Sequence, residues 1–161
     1  MLKYSIRGFL NEAGNTPADI KWVKNNKGLF GNFKIKDQIF DIQVTKLDEN
    51  KFDIFQFKFY RDDETKMFND MKYAMAVAPT IKVALDYVMS NLKPDGLVFA
   101  ASDESKTRKA LYKLNAAKIA TKYKYHDMTK DEKLKEMGFD SDVIFGVFKN
   151  KEILSDLLDN L

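Results

Sequence analysis

The sequence predicts an α/β (α+β) domain built on one mixed β-sheet, and three patterns carry this prediction. Apolar and polar residues alternate over residues 33–59, which is typical of an antiparallel meander. Residues 78–125 then follow as a helix, a short apolar strand and a second helix. Two further strands, at residues 122–126 and 143–149, complete the predicted sheet. A chain of 161 residues is long enough for one core, so we expect a single domain over residues 1–161.

Composition excludes several classes of protein. The chain has no cysteine, so disulfides and thiolate metal sites are excluded. The net charge is only +3 with both signs interspersed, so nucleic-acid binding is open but not favoured. No apolar run approaches the roughly 20 residues of a membrane span, and residues 1–15 lack the apolar region of a signal peptide. We therefore expect a soluble protein of the cytoplasm or of a virion, neither secreted nor membrane-bound.

The N-terminal part predicts a strand and a short helix. Residues 2–10 alternate loosely between apolar and polar side chains, which indicates a strand. Thr16 followed by Pro17 resembles a helix start, so a helix is expected over residues 17–24. Its tryptophan, Trp22, is expected to anchor the core and not to bind a ligand.

Residues 33–59 predict three antiparallel strands with one buried aromatic face. Turn residues at 37–38 and 48–50 separate the strands. An ordinary sheet core explains this strict alternation better than a stacking surface for nucleic-acid bases does. The residues expected in the core are Phe33, Ile35, Phe40, Ile42, Val44, Phe55, Phe57 and Phe59.

The middle of the chain predicts a loop at residues 61–70 and a strand at residues 71–78 that leads into Pro79. Helical spacing after the proline predicts a helix with one apolar stripe, formed by Ile81, Ala84, Leu85, Val88, Met89 and Leu92. Residues 97–101 predict a central strand covered on both faces. A second helix is expected from about Asp103, after a cap at Ser102.

The C-terminal part predicts a short helix at residues 129–137, the strand at 143–149 and a last helix at 150–161. Asn150 is expected to cap that last helix. The apolar stripe of the helix must pack on the body of the protein or on another chain, which would make a homo-oligomer.

One motif resembles a known family. Residues 105–112 form the pattern Ser-x-x-Arg-x-x-Leu-Tyr directly after the predicted strand LVFAAS. Together with the predicted order of elements, the pattern is similar to bacteriophage proteins with the fold of the GNAT family of N-acetyltransferases. The resemblance covers roughly residues 28–149.

The resemblance implies transfer of an acetyl group from acetyl-CoA to an amine, without a metal. Tyr112 stands where the family's tyrosine protonates the departing thiolate, and a phenol of pKa about 10 is a suitable proton donor to the thiolate of so weakly acidic a thiol. Tyr112 also forms a stripe with Ala116, Ile119 and Tyr123 at spacings of 4, 7 and 11 residues, which favours a packing role for it. Ser105 stands where the family holds the pantetheine arm. The cofactor would lie between two diverging central strands, here residues 71–78 and 97–101.

The same resemblance places the pyrophosphate of the cofactor at the start of the first helix, near Ala78 and Thr80. The family uses glycines there so that backbone N–H groups approach the phosphates. This chain has no glycine between Gly31 and Gly96, and Pro79 lacks an N–H. Two functions are therefore favoured: an acetyltransferase, or an inactive protein of this fold that serves as a virion component or binds a host protein. A nucleic-acid binder or modifier is the third, less favoured alternative.

Other candidates have ordinary structural interpretations. We expect Arg108 to pair with Glu104 on one helix face. His126 is the only histidine and is expected at a strand end or on the surface. The acidic residues 62–64 are expected in a solvated turn. The basic face of the second helix is expected in solvent, with binding of DNA or of an acidic protein as alternatives; it comprises Lys106, Arg108, Lys109, Lys113, Lys118 and Lys122.

Overall fold

The computed structural model describes residues 17–35, 38–47, 51–61, 71–101, 106–128 and 143–159. Within these ranges the elements are β1 (Lys21–Asn25), β2 (Gly28–Ile35), β3 (Gln38–Lys46), β4 (Ile54–Arg61), α1 (Met71–Leu92), β5 (Gly96–Ala101), α2 (Lys106–Tyr123), β6 (His126–Asp127), β7 (Val143–Phe148) and α3 (Lys151–Asp159). The predicted α/β class with a mixed sheet is confirmed. The strand predicted at 2–10 and the helix predicted at 129–137 lie outside the described residues, as do residues 62–70 of the predicted loop and the start of the second helix.

The sheet has the order β1-β2-β3-β4-β5-β7-β6. β4 and β5 are parallel, and the other neighbouring strands are antiparallel. A parallel pair needs a crossover connection, and α1 supplies it between β4 and β5. β5 therefore lies between two paired strands, and its predicted central position is confirmed.

One face of the sheet forms the main core under α1 and α2. The predicted alternation is confirmed, because Phe33, Phe40, Phe55, Phe57 and Phe59 are buried on this face while Lys34, Gln56 and Lys58 beside them are half-buried or exposed. Ile35, which was also expected in the core, is half-buried and packs against it. The predicted stripe of α1 is buried against them, with Leu92 at its edge half-buried. The largest fully buried members are Phe40, Ile42, Phe57, Phe59, Ile81, Leu97, Phe99 and Tyr112.

The opposite face of β4, β5 and β7 carries a second apolar cluster under α3. Ile153, Leu154 and Leu157 of this helix pack there with strand residues Ile54, Val98 and Phe148. Asn150 caps the helix as predicted, since its Oδ1 accepts a hydrogen bond from the Ile153 N–H at 3.1 Å. The sequence left open whether this stripe packs on the body of its own chain or on another chain. These three buried side chains pack on the body of their own chain.

The strand predicted at residues 71–78 is wrong, because this segment is the first part of α1. Val77 is buried four residues before Ile81, so the apolar stripe of the helix begins upstream of the proline. Pro79 lies inside the helix, where a missing N–H and a steric clash usually cost about 3 kcal/mol or more. The buried stripe on both sides of Pro79 outweighs that cost.

The helix predicted at residues 17–24 is also wrong. β1 pairs antiparallel with β2 from Lys21 to Asn25. Ile20 and Trp22 pack against the main core. Lys21 and Val23, which alternate with them, are exposed. The residues thus alternate as in a strand, because the free energy of pairing with β2 exceeds the local preference for a helix start. The indole ring of Trp22 stacks on Tyr87 of α1, with 4.7 Å between ring centroids.

The strand predicted at residues 122–126 begins later in the structure. α2 includes Tyr123, and β6 consists only of His126 and Asp127. Lys124 has a φ of 60°, the left-handed conformation that commonly ends a helix. The Tyr125 N–H then donates to the Ala120 carbonyl at 3.0 Å, which satisfies one carbonyl of the last helical turn.

Candidate functional site

The central parallel strands β4 and β5 pair along only part of their length. Their register runs from Ile54 opposite Gly96 to Phe57 opposite Phe99. Within the described part of the chain, residues 58–61 of β4 and residues 100–101 of β5 have no partner across this boundary. Beyond Phe57 and Phe99 the two strands therefore leave backbone groups that other parts of the protein must satisfy.

Tyr112 of α2 lies at this point of divergence. Its hydroxyl oxygen accepts a hydrogen bond from the backbone N–H of Phe59 at 3.2 Å. Its ring makes edge-on contacts with Phe57 and Phe59, at centroid distances of 6.4 and 5.5 Å, and a tilted contact with Phe99 at 5.2 Å. Tyr112 is 0% exposed, so both the ring and the hydroxyl are closed off from solvent.

The position of Tyr112 follows from the apolar stripe of α2. Tyr112, Ala116 and Ile119 are buried on the sheet side of the helix, at spacings of four and three residues, and Leu111 next to Tyr112 is buried as well. The phenol supplies a hydrogen bond that a continued β5 would have supplied to β4. The described arrangement is thus a filled gap and not an open cleft, and the pantetheine arm of a cofactor could enter only if the Tyr112 ring moved.

Ala78 and Thr80 do not lie at a helix start, so the helix start predicted at Pro79 is wrong. Both residues are in the interior of α1, which begins at Met71. Thr80 is buried, and its hydroxyl oxygen accepts a hydrogen bond from the Ala18 N–H at 2.9 Å. This hydrogen bond therefore links the segment before β1 to α1. Because Thr80 lies in the helix interior, the free N–H groups that bind phosphate at a helix N-terminus are not available at this position.

Because α1 begins at Met71, the resemblance would put the pyrophosphate beside the residues just before Met71 and not beside Pro79. Residues 62–70 precede Met71 and lie outside the described residues, as does Ser105. Their sequence, DDETKMFND, contains no glycine and four carboxylates. Negative side chains repel phosphates, and side chains in place of glycine keep the backbone away from them. Because the gap beside Tyr112 is also filled, the residues present do not fit acetyl-CoA.

A second feature is a polar network that joins α1 to α2. Oδ1 of Asp86 accepts hydrogen bonds from Lys122 Nζ at 2.9 Å and from Tyr123 Oη at 2.8 Å. Partial burial is the largest single influence and would raise the pKa of Asp86. The two hydrogen bonds and the nearby lysine charges outweigh it, so the pKa of Asp86 is lowered. Burial, and then the bond to Asp86, raises the pKa of Tyr123, so at neutral pH the carboxyl group is ionised and the phenol is neutral.

Beside this network an open groove of about 450 Å³, the α1–α2 groove, runs along the surface. It is lined by Lys82 of α1 and by one exposed stripe of α2, formed by Leu114, Ala117, Lys118, Thr121 and Lys122. A smaller cavity of about 40 Å³ shares its three lysines and also borders Asp86 and Asn115. The sequence predicted the basic face but not the groove. The sequence signal that could have indicated the groove is Leu114, an apolar residue on the polar side of the helix.

Other candidate sites have less support in the described ranges. His126 is exposed in β6, where it was predicted. The side chains of Arg108 and Glu104, and residues 62–64, lie outside the described residues. Among the residues that are described, no three His, Cys, Asp or Glu side chains come together as metal ligands would. No helix in these ranges is both long and apolar enough to cross a membrane.

Comparison with known proteins does not assign the chain to a family. The sequence matches no protein-family model, and neither a curated protein nor a solved structure was found to match it.

Proposed function

We propose that this chain is a non-catalytic, protein-binding module on an acetyltransferase-like sheet, of the kind that a bacteriophage uses as a virion component or to bind a host protein. The observation that carries the proposal is the filled gap between β4 and β5. Of the two strands between which the resemblance puts the cofactor, residues 71–78 are helical, and the parallel neighbour of β5 is β4 instead. The Tyr112 ring fills the gap between β4 and β5, and its hydroxyl accepts a hydrogen bond from the Phe59 N–H.

The proposal also draws support from the segment before α1. An enzyme of this family must hold a pyrophosphate at a helix start, and the residues that precede Met71 combine four carboxylates with no glycine. The free energy of binding a dianionic pyrophosphate would have to overcome this repulsion without the backbone cradle that normally supplies it.

The alternative is an active N-acyltransferase, and one observation favours it. The parallel strands β4 and β5 diverge after Phe57 and Phe99, and the Tyr112 hydroxyl lies at the divergence, where the resemblance calls for an acid. This alternative requires the Tyr112 ring to leave a site in which it is completely buried.

A thermal-shift experiment with acetyl-CoA separates the two functions. A cofactor present at 100 times its dissociation constant stabilises the folded state by about 2.7 kcal/mol. For a chain of this size that raises the Tm by roughly 5–11 °C. The proposal predicts no shift at millimolar acetyl-CoA, with a known acetyl-CoA-binding protein measured alongside as the positive control.

A second measurement checks the chemistry directly. The chain contains no cysteine, so a thiol-reactive dye detects only CoA released from acetyl-CoA. We expect no release above the buffer rate with a panel of amines, including lysine peptides and polyamines. A saturable Tm increase, or amine-dependent thiol release, would overturn the proposal in favour of the acyltransferase.

A further inference from the structure

We propose that the α1–α2 groove is the docking surface for an acidic amphipathic helix of a partner protein. The inference rests on the proposed function and deepens it, because it names the surface and the chemistry of the partner that a protein-binding module would take.

The charged residues of the groove indicate that the partner is acidic. The charged residues that border the groove and its small cavity are Lys82, Lys118, Lys122 and Asp86. Lys122 is neutralised by Asp86 at 2.9 Å. Lys118 has no carboxylate partner among the described residues, and Lys82 contributes only a longer-range attraction to Asp86. The groove therefore carries an excess of positive charge that carboxylates on a partner would complement.

An apolar centre gives the second property of the partner. Leu114 is 50% exposed and lies in the groove beside Ala117, which is also exposed. A partner that presents an apolar side chain between two carboxylates would bury Leu114 and reach Lys82 and Lys118 at the same time. This combination describes one face of an acidic amphipathic helix.

The same residues distinguish a protein partner from a nucleic acid. A phosphate backbone gains nothing from the burial of Leu114 and Ala117, whereas an amphipathic helix does. No arginine, the residue best suited to phosphate recognition, borders the groove in the described part of the chain. The lysines of this groove thus suit carboxylates that are accompanied by apolar side chains.

The dimensions fit two to three turns of a partner helix. From Leu114 to Lys122 the stripe advances eight residues along α2, a length of about 12 Å. In the smaller cavity Asn115 is only 6% exposed, and its amide nitrogen donates to the Leu111 carbonyl at 2.8 Å. A contact of this size is expected to be weak and reversible.

The test measures fluorescence anisotropy of a labelled synthetic helical peptide of about five turns, with leucines on one stripe and glutamates on both sides of it. A peptide with every glutamate replaced by lysine and a short DNA duplex serve as comparison probes. The full chain is expected to bind the acidic peptide more tightly than either. Lys118→Glu should weaken that binding about tenfold and Leu114→Ser several-fold, and Lys118→Glu should gain affinity for the lysine peptide.

Lys113→Glu is the matched control, because Lys113 is exposed on the same helix but does not border the groove. It should leave the affinity for the acidic peptide within about twofold of wild type, and all three variants should keep the wild-type Tm because the replaced side chains are exposed. Equal affinity for both peptides, no binding of the acidic peptide, or equal weakening by Lys113→Glu would overturn the docking site. Tighter binding of the duplex, lost in Lys118→Glu, would assign the groove to nucleic acid instead.

The two proposals fail separately. Binding of acetyl-CoA would overturn the proposed function whatever the peptide does. Absence of peptide binding, together with absence of an acetyl-CoA shift, would remove only the assignment of this groove.

Discussion

Replacing Tyr112 by phenylalanine removes one hydroxyl from the middle of the core and keeps the aromatic ring. The backbone N–H of Phe59, which donates to that hydroxyl at 3.2 Å, then loses its acceptor in a buried environment. Leaving a buried donor unsatisfied costs roughly 1–3 kcal/mol. The ring contacts with Phe57, Phe59 and Phe99 remain, so the loss is assigned to the hydroxyl and not to a cavity.

Two measurements check this expectation. For a chain of 161 residues the Tm should fall by about 2–12 °C, and the urea midpoint should fall without a change in slope. Hydrogen exchange at the Phe59 amide should accelerate more than at amides elsewhere in β4. Tyr87→Phe is the matched control, because it removes the same atom from a ring that is 37% exposed and should change stability by less than about 0.5 kcal/mol. If the two variants were equally stable and Phe59 exchange were unchanged, the hydroxyl would not be closing the gap between the strands.

Three further predictions follow from single contacts. Gly96→Ala places a Cβ 2.5 Å from the Cδ1 atom of buried Phe148, so it should lower stability by about 1–3 kcal/mol in urea unfolding; a wild-type midpoint would mean that the Phe148 ring can shift without cost. Asn150→Ala removes the cap of α3 and should cost about 1 kcal/mol in the same assay, whereas Asn150→Ser should retain most of the stability. Asp86→Asn should cost about 0.2–1 kcal/mol at pH 7, because the carboxylate is 36% exposed. The folded pKa of Asp86 is lowered, so the stability that its carboxylate contributes is complete above the ordinary carboxyl pKa and is lost as the pH falls through the lowered value. The free energies of unfolding of wild type and Asp86→Asn should therefore begin to converge as the pH falls below about 4. A difference that stays constant with pH would contradict the ion pair.

Segments with an uninterrupted period were predicted correctly. The alternation of Phe55, Phe57 and Phe59 describes a sheet face, and the spacing from Ile81 to Met89 describes a helix face. Both are properties of neighbouring residues, so no knowledge of the remaining chain is needed. The cap at Asn150 was predictable for the same reason.

Errors arose where a local signal competed with a distant partner. Pro79 resembles a helix start, but Val77 upstream of it is buried in the same stripe as Ile81, so α1 continues through the proline. Thr16 and Pro17 indicated a helix, but β2 offers residues 21–25 a strand to pair with. In both cases the free energy of burial or pairing exceeds the local preference.

The candidate site was predicted only in part. Tyr112 was identified from the motif of residues 105–112, and its place on the buried stripe was visible from the spacing to Ala116 and Ile119. Its hydrogen bond joins residues 53 positions apart, and the bond between Asp86 and Lys122 joins residues 36 apart. No sequence period relates such positions.

By itself the sequence determined which residues face inward along each long element, because side-chain direction repeats every 2 residues in a strand and every 3.6 in a helix. The tertiary structure alone decided that β4 and β5 pair in parallel and then diverge, that a phenol closes the gap between them, and that two helices meet in a basic groove. These features depend on which elements become neighbours, and that choice is made by the free energy of packing the whole core together.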